Sequence, residues 1–577
     1  MNGPSTQAAS SASDRGAAEV PARRAPAIVS TPEGLSAVKA SRLSFLRILI
    51  QRMTTERWRI TRSRFDLDER GRGLAVYYID TGGLPLHFVV FSNELEEADR
   101  TDRIIANRYD GEAFLCFGNL TPDRIDAQRT QFADFLYGRA DIETLGWTRV
   151  NRSERMFNVV VEALAAGRQP DINRVVDAGY LLRNNGYWGN GRHGSTSFKG
   201  IPEGEAISLP YHADLLTLYL WRTFSHDLVE HIATTRSACA VSLHPALKRF
   251  IGVGNASGLG LIPFVIRHPH RIHNWCAIRE NVIAHTKMRT EMADSPHASR
   301  LRSILDRAIA YFSEGIQVRA GIFAGSEQLV LDLRRIAQQL SDMRKQWPAL
   351  PWLSLCDWAA SHTHAEALET LHSALIEIYP DLCGSAQAQM VESISGTTDL
   401  DPSQTAGNLK NAMEKRYAWA LSLNLGAPEA RRHFWYLSED NLEPRHGVRD
   451  NDPKEEFETF VDVAGAVQQL YRAVKTAPPD QTIDRILFDQ PELRFSIERV
   501  QGTAGFPYGE VRANILAPEF QPCHLIRFLL AVYGMEKLDP QSHLWVRGTF
   551  LQGAPLPEDI AAGDEGDWIY PLRPVLN

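Results

Sequence analysis

Gly252-Val253-Gly254-Asn255-Ala256-Ser257-Gly258-Leu259-Gly260 lies at the centre of the stretch around which the chain is organised, Tyr211 to Arg289. Its glycines free φ and let another group approach bare backbone. The stretch reads as helix, glycine-rich loop, helix, histidine-rich turn, helix. If Asn255 or Ser257 caps a helix that begins near Leu259, free N–H groups point outward and form a site for phosphate or carboxylate. No Lys-Ser/Thr pair follows, so the pattern is not a P-loop. No clear strand precedes it, so the dinucleotide-binding context is also missing. The expectation is that Gly254, Asn255, Ser257 and Gly258 contact a ligand. The competing expectation is close helix–helix packing across the glycines and Ala256.

Residues 211–236, before the loop, read as a helix. Leu218, Trp221, Ser225, Leu228 and Ile232 share one face at three-four spacing. A second face carries His226, Asp227, Glu230 and His231. A carboxylate one turn from a histidine can orient it and raise its basicity, so His226 supported by Glu230 is a candidate acid–base pair. The alternative is an ordinary surface pair. After the loop comes Arg267-His268-Pro269-His270-Arg271-Ile272-His273. His268 and His270 are candidate proton-transfer groups. Arg267 and Arg271 would repel a cation, and no HExxH spacing exists, so no metal ligand set is assigned. Glu369-Thr370-Leu371-His372 matches the Glu-x-x-His of di-metal bundles once, without a second helical copy.

Two more polar segments resemble the glycine stretch in composition. Residues 183–195 mix glycines with Tyr187, Trp188, Asn190, Arg192 and His193, and Lys199 follows. Flexible linkers lack such aromatics, so a packed, ligand-facing loop is expected. Residues 436–447 contain Glu443, Arg445 and His446. Arginine grips an oxyanion with a forked pair of bonds. Tyr187, Asn190, Arg192, His193, Lys199, Glu443 and Arg445 therefore join the candidate ligand-binding residues. Nothing in the sequence brings the three segments together.

The remainder sets the frame. The chain has 577 residues, 44% hydrophobic content and a net charge of −8, which disfavours a general nucleic-acid binder. Cys116, Cys239, Cys276, Cys356, Cys383 and Cys523 form no CxxC clip, which suits a reducing cytoplasm. No apolar run is long enough to span a bilayer. Residues 1–31 read as a disordered tail rich in Ala, Ser, Pro and Arg. An amphipathic helix and an antiparallel sheet are expected within 32–120, with strands near 58–61, 74–79, 86–91 and 113–118. A helical body follows over 121–475, with helices at 122–138, 151–167 and 171–183. The part from 483 to 577 reads as a mixed α/β subdomain with strands at 487–497 and 544–551.

The resulting fold class is α+β, predominantly α: a small N-terminal antiparallel sheet, a large helical body and a mixed C-terminal subdomain. The functional expectation is a cytoplasmic enzyme of unassigned class. It would bind an anionic small-molecule substrate or cofactor in a cleft lined by glycine-rich loops with Arg/His acid–base groups. The cofactor, if any, is not specified by the sequence. One alternative is a metal-dependent helical oxygenase or hydrolase. Another is a non-enzymatic interaction scaffold, with Trp347, Trp352, Trp358 and Trp435 among its anchors.

Overall fold

A computed structural model describes residues 22–96, 108–130, 143–189, 207, 211–257, 269–315, 326–392, 400–427, 434–438, 444–447, 458–460, 463–503, 506–509, 522–535, 537–540 and 546–576. The chain is α+β with helices predominating. Its sheet is larger than the sequence suggests. Strands β1 (Arg59–Leu67), β2 (Gly73–Asp80), β3 (Leu86–Ser92) and β4 (Gly111–Phe117) are the four expected near the N-terminus. They continue into β5 (Thr144–Arg152), β6 (Tyr180–Gly189) and β7 (Gly252–Ser257). Two C-terminal strands, β13 (Lys537–Pro540) and β14 (Val546–Phe550), complete a nine-stranded sheet in the order β1-β2-β3-β4-β5-β6-β7-β14-β13. Neighbours pair antiparallel throughout, except β6 and β7, which are parallel.

Strand periodicity sorts the side chains onto two buried faces. Tyr77, Phe88, Val90, Ala113 and Leu115 face the main core. Val76, Val89, Phe91, Phe114 and Trp147 face a smaller cluster on the other side, where Phe91 and Trp147 stack at 6.2 Å. The main core is closed by helices α1 (Phe45–Thr55) and α2 (His212–Arg236). Trp221, Phe224, Leu228 and Ile232 of α2 lie in that core, and Trp221 meets Phe88 edge-on at 5.4 Å. Tyr211, at the N-cap of α2, has φ 61°, a left-handed turn into the helix.

A second core belongs to helices. It gathers α5 (Pro296–Gly315), α6 (Ser326–Gln346), α7 (Trp352–His362) and α8 (Ala365–Ile378), following α3 (Pro245–Phe250) and α4 (Pro269–Lys287) in the chain. A short pair, β8 (Thr290–Met292) and β9 (Ala349–Pro351), precedes α7. A three-stranded sheet is made of β10 (Phe434–Ser438), β11 (Pro444–Gly447) and β12 (Glu458–Phe460). No helix among the described residues is long and apolar enough to cross a membrane.

Three expectations need correction. The stretch read as a glycine-rich loop is strand β7 up to Ser257, between β6 and β14. Its glycines serve close approach: a Cβ on Gly252 would lie 2.1 Å from the Phe550 carbonyl oxygen, and one on Gly254 would lie 2.6 Å from the Tyr180 ring. Residues 180–189, assigned partly to a helix and partly to a loop, are strand β6. The strand expected at 487–497 is helical, Ile483–Asp489 and Arg494–Thr503, joined by a short turn at Pro491–Leu493. Leu493, Ile497 and Val500 are buried at helical spacing, while Phe488 is 78% exposed. The helix Pro522–Tyr533 also packs on the main core, and β13 and β14 pair into the main sheet.

Candidate functional site

The parallel pair β6–β7 is the one place in the main sheet, among the described strands, where neighbours run in the same direction. In an open sheet, chains that leave neighbouring parallel strands emerge at the same end, and crevices form there. Asn184 of β6 is the lateral partner of Asn255 of β7, so Gly189 and Ser257 end their strands on that side. Helix α2 starts there as well. Tyr187, near the end of β6, lies beside the Asp214 carboxylate in the first turn of α2. Its hydroxyl also lies 3.4 Å from the Leu145 carbonyl. Burial foremost, then the Asp214 charge, pushes the Tyr187 phenol well above its usual range. Tyr187 is therefore a hydrogen-bond donor at neutral pH and not a base.

Local sequence explains the seat of this tyrosine. A Cβ at Gly146 of β5 would stand 2.2 Å from the Tyr187 hydroxyl oxygen, so glycine leaves the ring its place. The β5–β6 register shifts between Arg149 and Val150, with Gly186 and Asn184 as their partners, and Asn185 falls at the bulge. Asn184 Nδ2 donates to Thr148 Oγ1 at 2.8 Å, and Trp221 Nε1 donates to the same oxygen at 3.2 Å. Asn185 differs: both of its amide atoms are enclosed and have no hydrogen-bond partner among the described residues. Enclosed polar atoms normally find a partner, so this end of the sheet holds an unmet polar group.

The other expected site residues fall as follows. Gly254 and Asn255 lie in β7, and Ser257 stands opposite Val546 of β14. His270 belongs to the first turn of α4, and Arg445 pairs with Tyr436 across β11 and β10. Asn190, Arg192, His193, Lys199, Gly258, His268 and Glu443 lie outside the described residues.

His226 and Glu230 do not form the expected acid–base pair. Glu230 Oε1 accepts from the Leu243 N–H at 2.8 Å and from Lys248 Nζ at 2.8 Å. His226 is buried, and its Nε2 has no hydrogen-bond partner among the described residues. Its position is fourteen residues along α2 from His212, roughly 21 Å at a rise of about 1.5 Å per residue. It is thus remote from the Tyr187–Asp214 end. The neighbouring pair is divided too: Asp227 accepts from Tyr77 Oη at 2.7 Å, and His231 Nε2 donates to the Asp68 carbonyl at 3.0 Å.

Burial, aided by the charges of Arg222 and Lys248, holds the His226 imidazole well below its usual range. An unfolded histidine titrates near about 6.5. Below that pH the unfolded chain takes up a proton that native His226 refuses, so stability is present above about 6.5 and is lost as pH falls. We expect His226→Gln to reduce the loss between about pH 7.5 and 5.5 by about 1 kcal/mol relative to the parent chain. Unfolding midpoints of both proteins at the two pH values check this; equal declines would contradict it.

Glu369 and His372, the single Glu-x-x-His match, are both buried, but Glu369 is held by Arg24 Nη1 at 2.5 Å and Arg279 Nη1 at 2.7 Å. No group of three or more metal-type side chains gathers among the described residues.

Sequence reasoning missed Asp214, Asn185 and Arg222. The first two carry no pattern. Arg222 does: it is a lone cation on the apolar stretch Leu215–Phe224. Its guanidinium donates to the carbonyls of Ile251, Pro555, Lys248, Arg249 and Ala554 at 2.8–3.1 Å. Burial pushes its pKa down to about 10, which leaves it charged at neutral pH. It ties α2 to the residues entering β7 and to those following β14.

The fold and site define a helix-rich α+β protein whose mixed sheet has a single parallel junction among the described strands. No family model, curated protein or solved structure matches the chain.

Proposed function

We propose that the chain binds an anionic small molecule at the end of the sheet where β6 and β7 finish. The observation that carries this reading is their parallel pairing, Arg183 beside Gly254 and Asn184 beside Asn255. Two of the polar segments singled out by composition continue in sequence past the ends of these strands. Asn190, Arg192, His193 and Lys199 follow β6, and Gly258 and His268 follow β7. Arginine and lysine supply the charge for an anion, and Tyr187 and Asn185 supply neutral polar groups nearby. His268 and His270 are the proton carriers in an enzymatic version of the reading.

Thermal unfolding with phosphate, pyrophosphate and succinate, each at about 10 mM, tests the proposal. One of these anions should raise the midpoint by about 3 °C or more. In Arg192→Ala/Lys199→Ala the midpoint without anion should stay unchanged and the shift should vanish. No anion-dependent shift in the parent chain, or an equal shift in the double variant, would refute the reading.

A protein-docking reading has its own observation. Met288, Met292, Trp347 and Leu353 are exposed apolar side chains within or beside the β8–β9 pair. Of the other tryptophans proposed as anchors, Trp352 is fully buried and Trp358 stacks on His362 at 4.8 Å. The side chain of Trp435 lies outside the described residues.

A further inference from the structure

Helices α4 and α8 meet at a seam that encloses charge. Glu280 of α4 is 1% exposed, and Glu369 of α8 is 3% exposed. Arg279 of α4, buried beside them, pairs with Glu369 Oε2 at 2.7 Å and lies 3.6 Å from Glu280 Oε1. One guanidinium for two enclosed carboxylates leaves the seam negative, a state that is costly away from water. The balance comes from outside both helices. Arg24, in the segment that precedes the first helical turn, sends Nε to Glu280 Oε2 at 2.8 Å and Nη2 to Glu280 Oε1 at 2.6 Å. Its remaining nitrogen, Nη1, reaches Glu369 Oε1 at 2.5 Å. His372, fully buried one turn along α8, turns Nδ1 toward the same oxygen at 3.4 Å, without a hydrogen-bonding angle.

We propose that this seam is a guanidinium-recognition niche, filled in cis by Arg24, and that it takes a free guanidinium group when that side chain is absent. The geometry selects the chemistry. Three N–H groups in one plane meet three carboxylate oxygens, two of them on a single carboxylate, and only a planar fork does this. An ammonium ion is a point charge and cannot meet Glu280 bidentately while reaching Glu369. A metal cation is opposed by Arg279. The Arg24 carbonyl accepts from Tyr508 Oη at 2.7 Å, and Ser30 Oγ donates to the Tyr508 carbonyl at 3.2 Å. Residues 22–31 thus act as a clip whose arginine completes the charge balance of the helical body.

Arg24→Gly in the full chain is the direct test, with methylguanidinium as probe. The variant should unfold at a lower temperature than the parent. About 20 mM methylguanidinium should raise its midpoint by about 3 °C, with no matching gain in the parent chain. Methylammonium and sodium chloride at equal concentration should give less than a third of that shift. A shift shared by methylammonium, or no shift, would overturn the proposal. Arg24→Gly/Glu280→Gln keeps the test valid if the single variant does not fold. Removing one carboxylate leaves Arg279 matched to Glu369, so the double variant should be folded, more stable than Arg24→Gly and unresponsive to methylguanidinium. A double variant no more stable than the single one would overturn the proposal equally.

Discussion

Arg222→Met is expected to lower the unfolding midpoint by about 4 °C or more, or to yield no soluble protein. The arginine donates to five main-chain carbonyls, and no carboxylate shares it among the described residues. Methionine fills similar space and supplies no donor. At about 1 kcal/mol for each orphaned buried acceptor, the loss is about 5 kcal/mol. Tyr219 Oη still reaches the Pro555 carbonyl at 3.0 Å and softens the loss at that one oxygen. Arg222→Lys keeps the charge but gathers its donors at one point, so it should recover less than half of the difference. Calorimetry of the three proteins is the check. A methionine variant within about 2 °C of the parent would show that Arg222 does not hold these segments together.

Gly252→Ala is the second large effect. Its Cβ would stand 2.1 Å from the Phe550 carbonyl oxygen and 2.7 Å from Thr549 Cγ2. The nearest obstacle is backbone, so β7 or β14 must move, and such overpacking costs about 3 kcal/mol. Gly254→Ala should follow in the same direction, because its Cβ would press on the buried Tyr180 ring. The two substitutions separate a packed strand from a ligand loop. In a loop they would spare the midpoint and weaken anion binding. In β7 they lower the midpoint before any ligand is added. Thermal unfolding without anion decides between these outcomes.

Part of this molecule was legible in its residues. Strands β1 to β4 were, because β-branched and aromatic side chains alternate there and Gly71, Gly73, Gly82 and Gly83 punctuate them. Helix α2 was, because Leu218, Trp221, Leu228 and Ile232 keep helical spacing within a helix of 25 residues. Strands β6 and β7 were not. Their glycines and asparagines lower local strand propensity, and their stability comes from neighbours distant in sequence: Thr148 for Asn184, Phe550 for Gly252, Tyr180 for Gly254. The parallel alignment that brings Tyr187 and Asn255 to one end of the sheet is likewise tertiary. The His226/Glu230 pair shows the reverse error. One-turn spacing makes two side chains neighbours, but Lys248 and the Leu243 N–H compete for the carboxylate, and nothing in the local sequence shows this.

The parallel β6–β7 junction supports both the fold account and the proposed ligand end, and one cross-link tests it. Asn184 and Asn255 are lateral partners there. Adjacent strands lie about 4.8 Å apart, within the Cα separation of about 4.4–6.8 Å that a disulfide needs. In Asn184→Cys/Asn255→Cys, mild oxidation should give a 184–255 disulfide, found by peptide mapping, whereas Asn184→Cys/Ser257→Cys should give no 184–257 disulfide. A 184–257 disulfide in the second variant, or no cross-link in the folded first variant, would contradict this register of the parallel junction and remove the basis for a ligand site at its end.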